Sequence, residues 1–136
     1  MSNLGQNFLR VDGPAKLRGW AQFTGDIEMP GMVYAKVLRS SYAHARLLRV
    51  DISRAVKLPG VVAILTRDDL KGMNSHFGPV VKDQPVVAMD RVRYVGDIIA
   101  AVAAEEKDIA EEAVELIEVE YEALPAVFDL HDAMKP

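Results

Sequence analysis

The chain has no cysteine. It can therefore form no disulfide, thiolate nucleophile, zinc–thiolate site or iron–sulfur ligation of its own, and it is compatible with a reducing cytosol. Basic charge is also in short supply: the formal net charge is −4, and no basic stripe carries interleaved aromatics, which argues against a nucleic-acid partner. Long apolar runs are absent. The longest, Ile98–Ala104, is far too short to cross a bilayer, and Met1-Ser2-Asn3-Leu4-Gly5-Gln6-Asn7 has no apolar signal core. The reading is a cytoplasmic protein with no membrane partner.

Motifs of catalysis are missing too. The 9 glycines include neither Gly-x-Gly-x-x-Gly nor Gly-x-x-x-x-Gly-Lys-Ser/Thr, so the backbone cradles for dinucleotides and nucleoside triphosphates are not encoded. The histidines His44, His76 and His131 lie in separate segments without His-x-His or His-x-x-x-His spacing. Each reads as structural: His44 in a turn beside Ser40, Ser41 and Tyr42, His76 in a loop and His131 on the surface. Ser40 and Ser41 lack a Gly-x-Ser-x-Gly elbow and are assigned to backbone groups at a strand end. No catalytic, cofactor-binding or metal-ligating residue is assigned in this chain.

What is present is a globular domain. At 136 residues, half of them hydrophobic and 26% charged, the chain can bury a core without staples, and one domain over residues 1–136 is expected. Residues 10–16, with Gly13-Pro14, read as an extended arm. Pro30-Gly31 fits a type II turn, followed by a strand over residues 33–39 with period-two alternation. Further strands are expected at 47–52 and 61–65. Between them Asp51 and Ser53 cap a short helix that Pro59-Gly60 ends. Thr66 with Asp69 resembles a capping box for one turn ending near Gly72.

Residues 72–84 then lose all periodicity, and a loop this long inside a small domain marks a functional or mobile surface. Residues 86–89 read as a short strand. Residues 92–95 read as another, turning at Gly96-Asp97 into the buried run 98–103 as a hairpin. Residues 105–116 have the period of an amphipathic helix, with Ile109, Ala110, Ala113, Val114 and Ile117 on one face. Ile117-Glu118-Val119-Glu120-Tyr121-Glu122 alternates strictly as a strand, which turns its glutamates to solvent rather than into an acid/base site. Asp26 with Glu28 and Asp68 with Asp69 go to caps and turns. Strands outnumber helices, so the class is α+β.

Seven blocks in order carry a resemblance. Arg10-Val11-Asp12-Gly13-Pro14-Ala15-Lys16, Phe23-Thr24-Gly25-Asp26-Ile27, Pro30-Gly31-Met32-Val33-Tyr34-Ala35, Arg39-Ser40-Ser41-Tyr42-Ala43-His44-Ala45-Arg46, Leu58-Pro59-Gly60-Val61-Val62-Ala63, Val92-Arg93-Tyr94-Val95-Gly96 and Val119-Glu120-Tyr121-Glu122-Ala123-Leu124-Pro125-Ala126-Val127 run through almost the whole chain. Together they resemble the N-terminal domain of the molybdenum-binding subunit of the xanthine dehydrogenase/aldehyde oxidase family. The resemblance implies an α/β-hammerhead, a mixed sheet with a few short helices, as the N-terminal fragment of a larger oxidoreductase subunit. Such enzymes hydroxylate a purine, N-heterocycle or aldehyde carbon at a molybdopterin-bound molybdenum, with water as oxygen source. Electrons leave through two [2Fe–2S] clusters, usually to FAD.

The partners implied are the remaining domains of the molybdenum subunit and the iron–sulfur and flavin subunits or domains. The family's base carboxylate and most pterin loops lie beyond this domain, so the chain alone is expected to be inactive, with no cofactor of its own. The resemblance also implies a substrate-funnel loop at Phe77-Gly78-Pro79-Val80-Val81-Lys82-Asp83, inside the stretch without periodicity. At Asp97 the chain departs from the family, where Gln or Glu commonly follows the glycine, although a turn accepts Asp. The reading from a different class is a stand-alone, non-catalytic interaction module of the same fold.

Overall fold

The computed structural model describes Gly5 and residues 9–135; the rest of the leading stretch read above for a signal core lies outside the described residues. Two compact units divide the chain, Met1–Met32 and Val33–Pro136. In the first, residues 10–16 are not an extended arm. A short helix, α1 (Gly13–Leu17), begins there with Pro14 in its first turn, where proline's fixed φ suits a helix and its missing N–H is not needed. No residue of α1 is buried. Gly19, at φ +71°, closes it, and the Trp20 N–H donates back to the Ala15 carbonyl at 2.8 Å. A 3₁₀ turn follows at Thr24–Asp26, with the Asp26 carboxylate accepting the Phe23 N–H at 2.9 Å. The turn expected at Pro30-Gly31 is present: the Met32 N–H donates to the Met29 carbonyl at 3.0 Å, and Gly31 takes φ +76°.

Among the described residues the second unit holds eight strands, two α-helices and a 3₁₀ turn at Ala55–Lys57: β1 (Tyr34–Arg39), β2 (Ala45–Asp51), β3 (Val61–Leu65), β4 (His76–Phe77), β5 (Gln84–Pro85), β6 (Arg91–Val92), β7 (Ile98–Ala104), α2 (Lys107–Glu115), β8 (Glu118–Ala123) and α3 (Leu130–Ala133). The class is α+β with few short helices, as expected. The strands form three sheets, in the orders β1-β7-β3, β6-β2-β8 and β4-β5. Each ladder is antiparallel.

Two expectations about strands are corrected. Residues 86–89 form no strand; Val87 and Ala88 are apolar because they are buried in a bend, where the Ala88 N–H donates to the Ile98 carbonyl at 2.7 Å. Nor do residues 92–95 and 98–103 make a hairpin. β6 pairs with β2, whereas β7 pairs with β1 and β3 in a different sheet. Gly96-Asp97 is instead the corner between the two sheets, tied to the end of β1. The Ser40 N–H donates to the Asp97 carbonyl and the Gly96 N–H to the Ser40 carbonyl, both at 2.8 Å, while the Asp97 carboxylate accepts the Arg93 N–H at 3.0 Å. An apolar run followed by Gly-Asp looks the same for a hairpin and for a chain that changes sheets, since both need one tight turn.

The core lies in two clusters, one on Ala45, Leu47, Ala88, Val92 and Ile99, the other on Ala55, Ala100, Val102, Ala113 and Ile117. Alternate residues of β7 feed the two, Ile99 one way and Ala100 and Val102 the other, because successive strand side chains point to opposite faces. α2 packs on β7 and β1 through Ala110 and Ala113, whose methyl side chains allow helix and sheet to approach closely. Along β8 the outward glutamates meet arginines: Glu122 with Arg46 at 2.7 Å, Glu120 with Arg49 at 3.6 Å and Glu118 with Arg54 at 3.1 Å. These pairs are well exposed and each contributes roughly 0–1 kcal/mol, which agrees with a solvated face.

Candidate functional site

The stretch without periodicity is a small hairpin. The base is fixed by β4 and β5, with His76 opposite Pro85 and Phe77 opposite Gln84, and the Val86 N–H donates to the Ser75 carbonyl at 2.9 Å just below them. Residues 78–83 form the tip. Gly78 makes the reversal possible: a Cβ there would clash with the Val81 carbonyl oxygen and lie 2.9 Å from its carbonyl carbon. The tip presents apolar side chains outward, with Val80 at 92% and Val81 at 64% exposure, and Phe77 at its root is half exposed. Pro79, Lys82 and Asp83 are exposed as well. The structure thus brings all seven residues of the expected funnel loop into one protrusion. The two short strands holding it were not legible, because two residues per strand are too few to show a period.

A concave surface elsewhere was not visible in the sequence. Ala43 and His44 before β2, Arg93, Tyr94 and Val95 at the sheet corner, and Pro125 to Phe128 after β8 enclose a shallow cleft of about 480 Å³. Its walls are largely apolar, and Phe128 is 87% exposed. His44 is oriented by the Pro125 carbonyl, 2.7 Å from Nδ1. Since a carbonyl only accepts, Nδ1 carries the proton. The two residues are 81 apart in sequence, and only the pairing of β2 with β8 makes them neighbours. Ser40, buried at the end of β1, exchanges hydrogen bonds with the Tyr42 backbone at 2.9 and 3.0 Å, the structural role expected of it. His76 and His131 are exposed.

Arg67 is the polar residue that sequence reasoning missed. In β2, Leu47 opposes Tyr121 and Arg49 opposes Glu120, so Leu48 is the extra residue of a bulge. The Arg67 guanidinium donates to the carbonyls of Leu47 at 2.9 Å, Leu48 at 3.2 Å and Met89 at 3.0 Å. It fastens the bulge to the bend below β6. The adjacent Thr66 and Asp69 form the expected cap, with the Asp69 carboxylate accepting the Thr66 N–H at 2.7 Å and its hydroxyl at 2.9 Å. Those bonds hold the Asp69 carboxyl below the usual carboxylate range.

Among the described residues no three His, Asp or Glu side chains gather as a metal ion would require. None of their helices is long and apolar enough to cross a membrane. The model for the aldehyde oxidase and xanthine dehydrogenase a/b hammerhead domain matches residues 18–125.

The chain belongs to that family.

The hammerhead domain is 49% identical over 128 residues, 94% of its length, to a probable xanthine dehydrogenase subunit of Bacillus subtilis, and it covers 17% of that protein. It is 41% identical to the nicotinate dehydrogenase large molybdopterin subunit of Eubacterium barkeri, over 97% of the hammerhead and 31% of that subunit. Among solved structures, reconstituted CO dehydrogenase from Oligotropha carboxidovorans matches with a TM-score of 0.88 at 39% identity, over 97% of this chain and 17% of that one. The hammerhead thus spans a minor part of each relative's length.

Proposed function

We propose that this hammerhead domain, residues 1–136, works as the N-terminal part of the large, molybdenum-binding subunit of a cytoplasmic molybdenum hydroxylase. It serves there as scaffold and as one wall of the substrate funnel. The observation that carries the reading is the match over residues 18–125 to a domain that, in the relatives, sits within a much longer polypeptide. A chemical argument supports it: the chain has no cysteine for iron–sulfur ligation, and its described carboxylates and imidazoles do not converge. Molybdopterin, the [2Fe–2S] clusters and FAD are then held by other domains or subunits, and no catalytic step is assigned to residues of this chain. The loop at 77–83 is the part offered to substrate, because it combines exposed apolar side chains with an anchored base.

The test is the denatured mass of the native polypeptide, read by immunoblot of source cells with antibody to this chain, together with the molybdenum content of the complex it pulls down. A band several times heavier than 15.0 kDa with molybdenum in the complex is expected. A band near 15.0 kDa without metal overturns the reading in favour of a free-standing interaction module.

A further inference from the structure

The hairpin at residues 76–85 has an unusual division of labour. Its base is held by the β4–β5 ladder and by the Val86 to Ser75 hydrogen bond, whereas its six-residue tip is shaped by the approach of the Val81 carbonyl to the Cα of Gly78. No other residue type fits at that position. Any side chain would place its Cβ against the Val81 carbonyl, and the obstacle is backbone rather than the free end of a side chain, so it cannot rotate away. Relief has to come from the tip itself, because residues 76–77 and 84–85 are paired. A substitution at Gly78 would therefore move Val80 and Val81 while leaving the sheets and the buried core of β7 in place.

From this we infer that Gly78 is a specificity-positioning residue: by letting the chain close on Val81, it sets where the exposed Val80 and Val81 side chains stand, and so which substrates pass them. The inference rests on the funnel reading of the tip proposed above. Gly78 touches no reacting atom. Its effect would fall on the relative kcat/KM of substrates of different size and not on the chemistry common to them, because relocating an apolar wall alters the fit of a large ring more than that of a small one.

The experiment uses the intact enzyme, in wild-type form, as Gly78→Ala and as the Val80→Ala/Val81→Ala double variant. Three quantities are measured: molybdenum content, amide hydrogen exchange of the peptides covering residues 76–85 and 98–104, and the ratio of kcat/KM for a one-ring and a two-ring N-heterocycle, nicotinate and hypoxanthine. For Gly78→Ala the expected result is unchanged molybdenum, exchange at least threefold faster in 78–83 with 98–104 unaltered, and a kcat/KM ratio shifted by threefold or more. The double variant should shift the ratio as well.

If Gly78→Ala exchanges like wild type, the glycine does not position the tip and the inference fails, whatever the turnover. If the tip loosens and only the double variant shifts the ratio, Gly78 has no hold on selectivity; the inference fails and the funnel reading stands. If the tip loosens and neither variant shifts the ratio, the funnel reading fails and takes the inference with it.

Discussion

Removing the guanidinium of Arg67 tests whether one side chain holds the β2 bulge. Two of its three hydrogen bonds, to the carbonyls of Leu47 and Met89, are partly buried; the third, to Leu48, is exposed and can be replaced by water. A bond to a charged donor contributes roughly 1.5–3 kcal/mol, and taking the low end for the two sheltered bonds and nothing for the third predicts a loss of about 3 kcal/mol in Arg67→Met, which keeps the apolar stem. A chain of this length loses about 3–4 °C of Tm per kcal/mol, so the midpoint should fall by about 10 °C. Arg67→Lys keeps the charge but offers a single ammonium point in place of a planar fork, and it should lose about half as much.

Thermal or urea unfolding followed by circular dichroism gives the totals, and hydrogen exchange locates them. The Leu47 amide, which donates to the Asp90 carbonyl at 2.9 Å, should exchange faster in Arg67→Met than amides in β7 do. A fall of less than about 2 °C in Arg67→Met would mean that water satisfies all three carbonyls. An Arg67→Lys variant as stable as wild type would mean that the fork geometry is irrelevant. Either result refutes the reasoning.

Ile99→Ala removes one of the largest fully buried side chains, at 1% exposure, and should cost about 3 kcal/mol in urea unfolding; a loss under about 1 kcal/mol would show that the cluster collapses onto the gap. Gly60→Ala should cost about 2 kcal/mol, because Gly60 sits at φ +88° and a Cβ there would lie 2.6 Å from Ile109 Cδ1. Adding Ile109→Val removes that methyl, so it should cost less in the Gly60→Ala background than in wild type, and a double-mutant cycle without coupling would contradict the contact. Burial raises the Tyr121 pKa above its ordinary 10.0, reinforced by Tyr42, whose ring centroid stands 4.6 Å away, and opposed by the Ser40 hydroxyl. The neutral phenol is then favoured in the folded state, so its stabilisation is complete below pH 10 and is lost as pH rises through the folded pKa. Tyr121→Phe should flatten the alkaline fall of Tm; an unchanged slope would exclude this residue.

Local chemistry alone was enough for the elements whose signals lie within a few residues. The Pro30-Gly31 turn, β3 at Val61–Leu65, the cap at Thr66 and Asp69, the Ala-faced helix α2 and the outward glutamates of β8 all follow from proline's φ, glycine's freedom, side-chain reach and the periods of 2 and 3.6. The absence of cysteine and of phosphate-binding glycines is a matter of composition, and it survives any fold. Tertiary structure decided how those elements combine. Gly96-Asp97 turns equally well into a hairpin or around a corner between sheets, and the choice depended on which strands claimed β6 and β7. Apolar Val87-Ala88 reads as strand or as buried bend until the partner at Ile98 is known. Hydrogen bonds over long separations, from Arg67 to the bulge at Leu48 and from His44 to Pro125, leave no local trace, because each costs the sequence only one ordinary polar residue at one position. The hairpin tip falls between the two: its glycine and its lack of period mark a special loop, but only folding shows that this glycine is where the chain closes on Val81.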